Sequence, residues 1–259
     1  MAGAEPEEIV RVPIAHQDWR DVTFLHWAFA PESIARLLPE GLEPDLFDGQ
    51  AWVSLTPFSV RGFRLPLAPA VPRLSNFPET NLRTYVRGPG GVDGLWFLTA
   101  EVDSLLNLGV RALLGVPYRW AAMEVSAGER CSYLSSRRGA PEIGHDIEVV
   151  PGAPLPSHDE LTAWLTGRWR GISQVAGRPV AVPVQHGPWP LSAATVARLD
   201  ETLLESCGLP SPAADPIVHW SPGVDVRFGT VVTFHDGRIT RTEIFASPKE
   251  ALDAVGLSE

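Results

Sequence analysis

A single lysine, Lys249, serves a chain of 259 residues, and the other twenty of its 21 basic residues are arginine. An amine nucleophile is therefore nearly absent, because a guanidinium stays protonated and cannot form an imine. Two cysteines, Cys131 and Cys207, are too few for a disulfide framework and read as reduced thiols of a cytosolic protein. No stretch approaches the ~18 apolar residues of a membrane helix. The apolar segment 105–116 is interrupted by Asn107, Gly109 and Arg111. The N-terminal MAGAEPEEIVRV is acidic and has no apolar core, so it is not read as a signal peptide. A cytoplasmic location without membrane partners is expected.

Motifs of common chemistry are missing as well. No GxGxxG or GxxxxGK[ST] supports nucleotide binding. No HExxH or paired CxxC supports zinc, and no GxSxG elbow supports a serine hydrolase. A formal net charge of -10 repels phosphate backbones and argues against nucleic acid. The arginine excess follows either from GC-rich codons or from planar anion recognition at selected positions.

What is present is ordinary globular composition, 44% hydrophobic and 20% charged, with 25 prolines and 23 glycines spread evenly. Such punctuation suits many short strands. The chain reads as one domain over 1–259, with 1–15 and 248–259 peripheral. Strands are expected at 22–27, 42–47, 51–58, 79–87, 95–103, 119–126, 130–136, 142–150, 168–175, 178–186, 217–220 and 224–234, with 42–47 and 51–58 forming a hairpin around Asp48-Gly49. Helices are expected from Pro31 to Pro39, over 104–114 capped by Ser104, from a Ser157–Glu160 capping box through Leu165, and over 192–207 before Gly208. Without a β-α-β rhythm, this pattern predicts a mainly β (α+β) fold, a large antiparallel sheet or barrel.

The segment FPETNLRTYVRG carries the most information. Alternation places Glu79, Asn81, Arg83, Tyr85 and Arg87 on one face and Leu82, Thr84 and Val86 on the other. A polar face is normal on a solvated antiparallel sheet. In a closed barrel the same face lines a pocket, where Arg83 suits a carboxylate and Glu79 proton transfer. Further candidates keep two readings. His26 is a core histidine or a catalytic one. His186 and Trp189 in HGPWPL pack or line a site. Glu101 and Asp103, on one face with Phe97 and Thr99, are surface charge or a coupled carboxylate pair.

Five segments resemble the YqjF-like family, also called DUF2071, in its order: HWAFAPESIARLLPEGLEPDLFDGQAWVSLTPF, FPETNLRTYV, LGVPYRWAAM, WLTGRWR and HGPWPL. The tail SPGVDVRFG is similar too. The resemblance implies the acetoacetate decarboxylase superfamily and its large, cone-like antiparallel β-barrel around a small pocket. It implies that Glu79 is a pocket glutamate and that Asn81, Arg83 and Tyr85 line the cavity with it. The ligand-binding candidates are His26, Trp27, Asn81, Tyr85, Glu101, Tyr118, Trp120 and Trp189. Glu79, Arg83 and His186 are the catalytic set. The superfamily's Schiff-base lysine has no counterpart, since Lys249 falls in a terminal segment. Two functions follow. One is non-covalent lyase, isomerase or cyclase chemistry on a small organic acid or carbonyl compound. The other is a binding protein holding an apolar or aromatic ligand between Trp27, Trp52, Trp96 and Trp120. A barrel filled by its own side chains is the third reading. No metal or organic cofactor is implied, the partner is a small-molecule ligand, and a homo-oligomer is compatible with the sequence.

Overall fold

The computed structural model describes residues 10, 13–66, 68–71, 74–104, 115–175, 178–229, 232–235 and 238–242. Residues 105–114 of the expected helix over 104–114, the turns at Ala176-Gly177 and Asp236-Gly237, and Lys249 lie outside them. Among the described residues no helix is long and apolar enough to cross a membrane.

Strands dominate, in the order β1 (Ala15–Phe29), β2 (Glu43–Pro44), β3 (Ala51–Arg64), β4 (Phe77–Arg87), β5 (Asp93–Val102), β6 (Tyr118–Ser126), β7 (Cys131–Arg137), β8 (Ala140–Pro154), β9 (Arg170–Val175), β10 (Arg178–Gln185), β11 (Ser192–Glu201), β12 (Ile217–Phe228), β13 (Val232–His235) and β14 (Arg238–Thr242). The helices are short: α1 (Pro31–Ala35), α2 (Glu160–Thr166) and α3 (Leu203–Ser206). Pro31 opens α1, where its missing N–H costs nothing. Asp159, not Ser157, caps α2, accepting from the Thr162 amide at 2.7 Å.

Strands β5-β6-β7-β8-β11-β12-β1-β3-β4 hydrogen-bond in sequence, and β4 pairs back to β5, closing a nine-strand barrel. Pairing is antiparallel except at β5–β6 and β5–β9. Its interior holds one buried apolar cluster, with Leu25, Trp27, Val53, Leu55, Leu82, Tyr133, Ile147 and Val149, beside a buried Thr80–His145 hydrogen bond of 2.9 Å. A second circuit shares part of this wall. Strands β9 and β10 bridge from β5 to β12, running over the outer face of β1, β3 and β4. A second cluster, with Phe24, Phe58, Val60, Phe77 and Trp189, packs on that side. The wall is therefore buried on both faces, which explains why β3 is nearly all buried from Ala51 to Val60.

Two bulges decide which side chains face which compartment. Asp21 adopts φ 54°, and its carbonyl accepts from the Tyr133 hydroxyl at 2.6 Å. One extra residue there reverses the alternation, so Trp19 and Phe24 face the same compartment although their numbers differ in parity. Opposite it, Gly223 at φ 124° lies against Trp19, whose carbonyl would sit 1.9 Å from a Cβ. A second bulge in β5 lies between Phe97, which pairs with Arg83, and Thr99, which pairs with Leu82.

Several expectations are corrected. Residues 192–201 are strand β11, paired with β8, and only 203–206 are helical. The Asp48-Gly49 turn exists, with both residues at positive φ, but β2 pairs with β4 and the turn closes only a Phe47–Gln50 bridge. Strand β1 starts at Ala15, seven residues before the expected start, and β12 runs unbroken through residues 221–223.

Candidate functional site

Between the β9–β10 bridge and the shared wall lies a cavity of about 230 Å³. That is below the ~300–1,000 Å³ usual for drug-sized ligands and suits a small molecule. From β4, Glu79, Asn81 and Arg83 line it. The row Glu79 to Tyr85 thus turns away from the nine-strand core and into the second compartment.

Glu79 is 5% exposed, and burial raises its carboxyl to about 7, against opposing hydrogen bonds from Asn81 and Tyr118. The Tyr118 hydroxyl donates to Glu79 Oε1 at 3.5 Å. Burial and the Glu79 carboxylate hold Tyr118 well above the ordinary tyrosine value. Glu79 at neutral pH is thus balanced between acid and base, the condition for proton transfer.

Arg83 lies four residues on, about 13 Å along the strand between Cα atoms. It is 7% exposed. Its guanidinium sits 5.6 Å from the Phe24 ring centroid, and Nε is sealed without a hydrogen-bond partner. No carboxylate among the described residues pairs with it. Desolvation lowers its pKa, the signature of a cation without a counter-ion.

Two other arginines, Arg168 just before β9 and Arg170 at its start, are different. Arg168 Nη1 reaches Asp45 at 2.8 Å and Asp93 at 2.9 Å, and its guanidinium lies between the Trp164 and Tyr85 rings, at 4.1 and 5.0 Å. Arg170 pairs with Asp93 at 3.2 Å. These pairs tie β9 to the chain before β3 and to the start of β5 (Asp45 also binds Arg87). Arg168 and Arg170, which also line the cavity, thus each hold a carboxylate partner, whereas Arg83 has none among the described residues.

His186 donates from Nδ1 to its neighbour's carbonyl, Gly187 O, at 2.6 Å, which leaves Nε2 as the lone-pair nitrogen. Its ring packs against Trp169 and Trp189. Burial lowers its pKa to about 4, with Arg83 adding to the effect, so it is a neutral imidazole at pH 7. His26 and Tyr85 form a floor beneath the cavity, outside its lining. The Tyr85 hydroxyl donates to Leu165 O at 2.9 Å, and His26 Nδ1 lies 3.3 Å from the Tyr85 hydroxyl oxygen. His26 is held well below the ordinary histidine range by burial, then by His219 and Arg83.

The structure brings Glu79, Asn81, Arg83, Tyr118, His186 and Trp189 together around one cavity. Three candidates lie elsewhere. Trp27 alternates with His26 and so points into the nine-strand core. Glu101 is turned by the β5 bulge to the far side, where it pairs with Arg137. Trp120 is on the outer surface, 38% exposed, under the Arg138 guanidinium. A cage of Trp27, Trp52, Trp96 and Trp120 does not exist: Trp52 packs with Tyr85 and Leu165, and Trp96 against Leu42 and Val86. The aromatic lining comes instead from Trp19, Phe63, Phe97 and Phe228. No local signal marks Trp19, since the Asp21 bulge sets its direction. Among the described residues no group of three His, Cys, Asp or Glu is placed to hold a metal ion.

Comparison with known proteins agrees with this architecture. The enduracididine biosynthesis enzyme MppR, complexed with the condensation product of pyruvate and imidazole 4-carboxaldehyde, has a TM-score of 0.64 at 15% identity, over 90% of this chain and 94% of MppR. An acetoacetate decarboxylase-like enzyme from Sphingomonas wittichii RW1 gives 0.62 at 16%, over 88% and 96%. Acetoacetate decarboxylase from Legionella pneumophila gives 0.60 at 11%, over 86% and 88%. The fold is therefore acetoacetate decarboxylase-like. In sequence, the uncharacterized protein YqjF of Bacillus subtilis (strain 168) is 33% identical over 219 residues, which cover 83% of this chain and 90% of YqjF. The DUF2071 model, described as "Uncharacterized conserved protein", matches residues 16–225, and the chain belongs to that family.

Proposed function

We propose that the chain is an enzyme that acts without a covalent intermediate on a small 2-oxo acid or a related carbonyl compound. One observation carries this reading: a buried guanidinium, Arg83, faces the cavity without a carboxylate partner among the described residues. An unpaired buried charge costs several kcal/mol, and an anionic ligand removes the cost. Glu79, near 7, supplies the chemistry on the same wall. Its carboxylate takes a proton from the carbon beside the substrate carbonyl. The C–H electron pair becomes the new C=C bond, and the carbonyl oxygen becomes an enolate oxygen. Arg83 receives the substrate's charge, as carboxylate or enolate. Return of the proton from Glu79 to carbon restores the starting compound, and lyase, isomerase or cyclase outcomes all begin from this enolate. His186 Nε2 offers a second neutral base.

The similarly folded MppR binds pyruvate, which supports a 2-oxo acid as the ligand class. An imine mechanism is not part of the proposal, because Lys249 is the only lysine of the sequence. Deuterium uptake into the pyruvate methyl group in D₂O, followed by proton NMR, tests the reading. Exchange above background is expected with the native protein, with loss of 100-fold or more in Glu79→Gln. A Glu79→Gln protein exchanging as fast as the native one contradicts it. Binding of pyruvate without exchange in the native protein favours the second reading, a binding protein, which the apolar lining around Phe63, Phe97 and Phe228 supports.

A further inference from the structure

The acid-binding reading places a carboxylate at Arg83 but leaves most of the cavity wall unused. That wall is apolar, part aliphatic and part aromatic. Trp19 from β1, Phe63 from β3, Phe97 from β5 and Phe228 from β12 all line the space and all keep part of their surface uncovered. Trp19 and Trp189 lie nearly parallel, 15° apart with centroids at 6.1 Å. Trp19 is fixed in place by its indole N–H, which donates to Gln17 Oε1 at 2.8 Å.

Rings that could complete a core instead leave a gap. Elsewhere in the same layer apolar side chains close completely: Phe24, Phe58 and Val60 are at most 2% exposed. The backbone also yields to the aromatic wall. Gly171 on β9 faces Phe97, and a Cβ there would lie 3.2 Å from the Phe97 ring. A side chain at 171 would force that ring to shift. Asn81 and the protonatable Glu79 provide the polar contacts between Arg83 and the rest of the lining.

Taken together, one anion-binding group, one proton-transfer group and a wall of flat rings match a carboxylic acid that carries an aromatic ring. We propose that the ligand of this site is an aryl-bearing 2-oxo acid, its carboxylate on Arg83 and its ring against Trp19, Phe63, Phe97 and Phe228. The proposal rests on the acid-binding reading and narrows it. Aromatic contacts of this kind prefer offset or edge geometry and strengthen binding beyond plain area burial. An aliphatic 2-oxo acid would bind through Arg83 alone and leave the rings wet.

Calorimetric titration of the full chain with phenylpyruvate, pyruvate and phenylacetone tests both levels separately. Phenylpyruvate should bind at least tenfold more tightly than pyruvate, and at least tenfold more tightly than phenylacetone, which has the ring and ketone but no carboxylate. In Trp19→Leu the phenylpyruvate-to-pyruvate affinity ratio should fall at least fivefold. Phe63→Leu gives an independent reading of the same ratio if Trp19→Leu fails to fold. In Arg83→Met both acids should weaken at least tenfold. Pyruvate binding as tightly as phenylpyruvate, with both lost in Arg83→Met, overturns the aryl assignment and leaves the acid-binding reading intact. Phenylacetone binding as tightly as phenylpyruvate, or an unchanged affinity in Arg83→Met, overturns the acid-binding reading itself. Failure of both acids to bind overturns both.

Discussion

Replacing Glu79 by Gln should make the protein more stable, by an amount that grows as the pH rises from 4.5 to about 7. Burial raises the Glu79 pKa from 4.5 to about 7. The folded state therefore holds a proton that the unfolded state has released. A raised acid contributes stability that is fully present below pH 4.5 and is lost as pH rises through 7. At about 1.4 kcal/mol per tenfold, the full loss above pH 7 is about 3 kcal/mol, an upper bound because the structure relaxes around the charge. Glutamine resembles the protonated form at every pH. The variant should match the native protein near pH 4.5 and exceed it by up to about 3 kcal/mol at pH 8. For a chain of this size that is a rise in Tm of roughly 6–12 °C. Urea denaturation at half-unit steps from pH 4.5 to 8.5 measures it. The difference between the two proteins is the quantity to plot, because His145 and His186, both lowered to about 4, titrate with the opposite sign. Their stability contribution is present above pH 6.5 and falls away toward pH 4, and it cancels in the difference. Parallel curves would show that the carboxylate at 79 is not desolvated, and the acid–base role would fall with it.

Two further perturbations test the frame that holds the site. Asp45→Ala removes one of the two carboxylates that neutralise the buried Arg168, and should cost about 3 kcal/mol in urea denaturation; a loss under 1 kcal/mol would mean Asp93 alone suffices. Gly223→Ala places a Cβ within 1.9 Å of the Trp19 carbonyl at φ 124°, so the β1–β12 pairing must break locally, and destabilisation above 4 kcal/mol or insoluble expression is expected. A soluble variant with native stability would refute that register.

The wall of the site was readable where its chemistry is local. Charged and polar residues at every second position of β4 announce an inward or outward polar face, and regular pairing with β3 preserves that alternation through to Arg83. The same rule misplaced Glu101, because one extra residue near Leu98 reverses β5 after Phe97. Trp19 was invisible for the equivalent reason at Asp21. Residues 192–207, rich in Ala, Leu and Glu, favour a helix by propensity, yet the first ten form β11, which pairs with β8 and β12 in the barrel; tertiary pairing outweighs local preference there. The β9–β10 bridge depends on pairings between strands far apart in sequence, β9 with β5 and β10 with β12, and no local pattern encodes which compartment it closes.

The central claim is that Arg83 is a buried cation awaiting a ligand's negative charge. A crystal structure of the native protein with pyruvate tests it most directly. The account predicts the carboxylate within hydrogen-bonding distance of the Arg83 guanidinium, unlinked to any side chain and within reach of Glu79. Density for pyruvate joined to Lys249, or for Arg83 paired with a carboxylate of the protein while the ligand sits elsewhere, would contradict it.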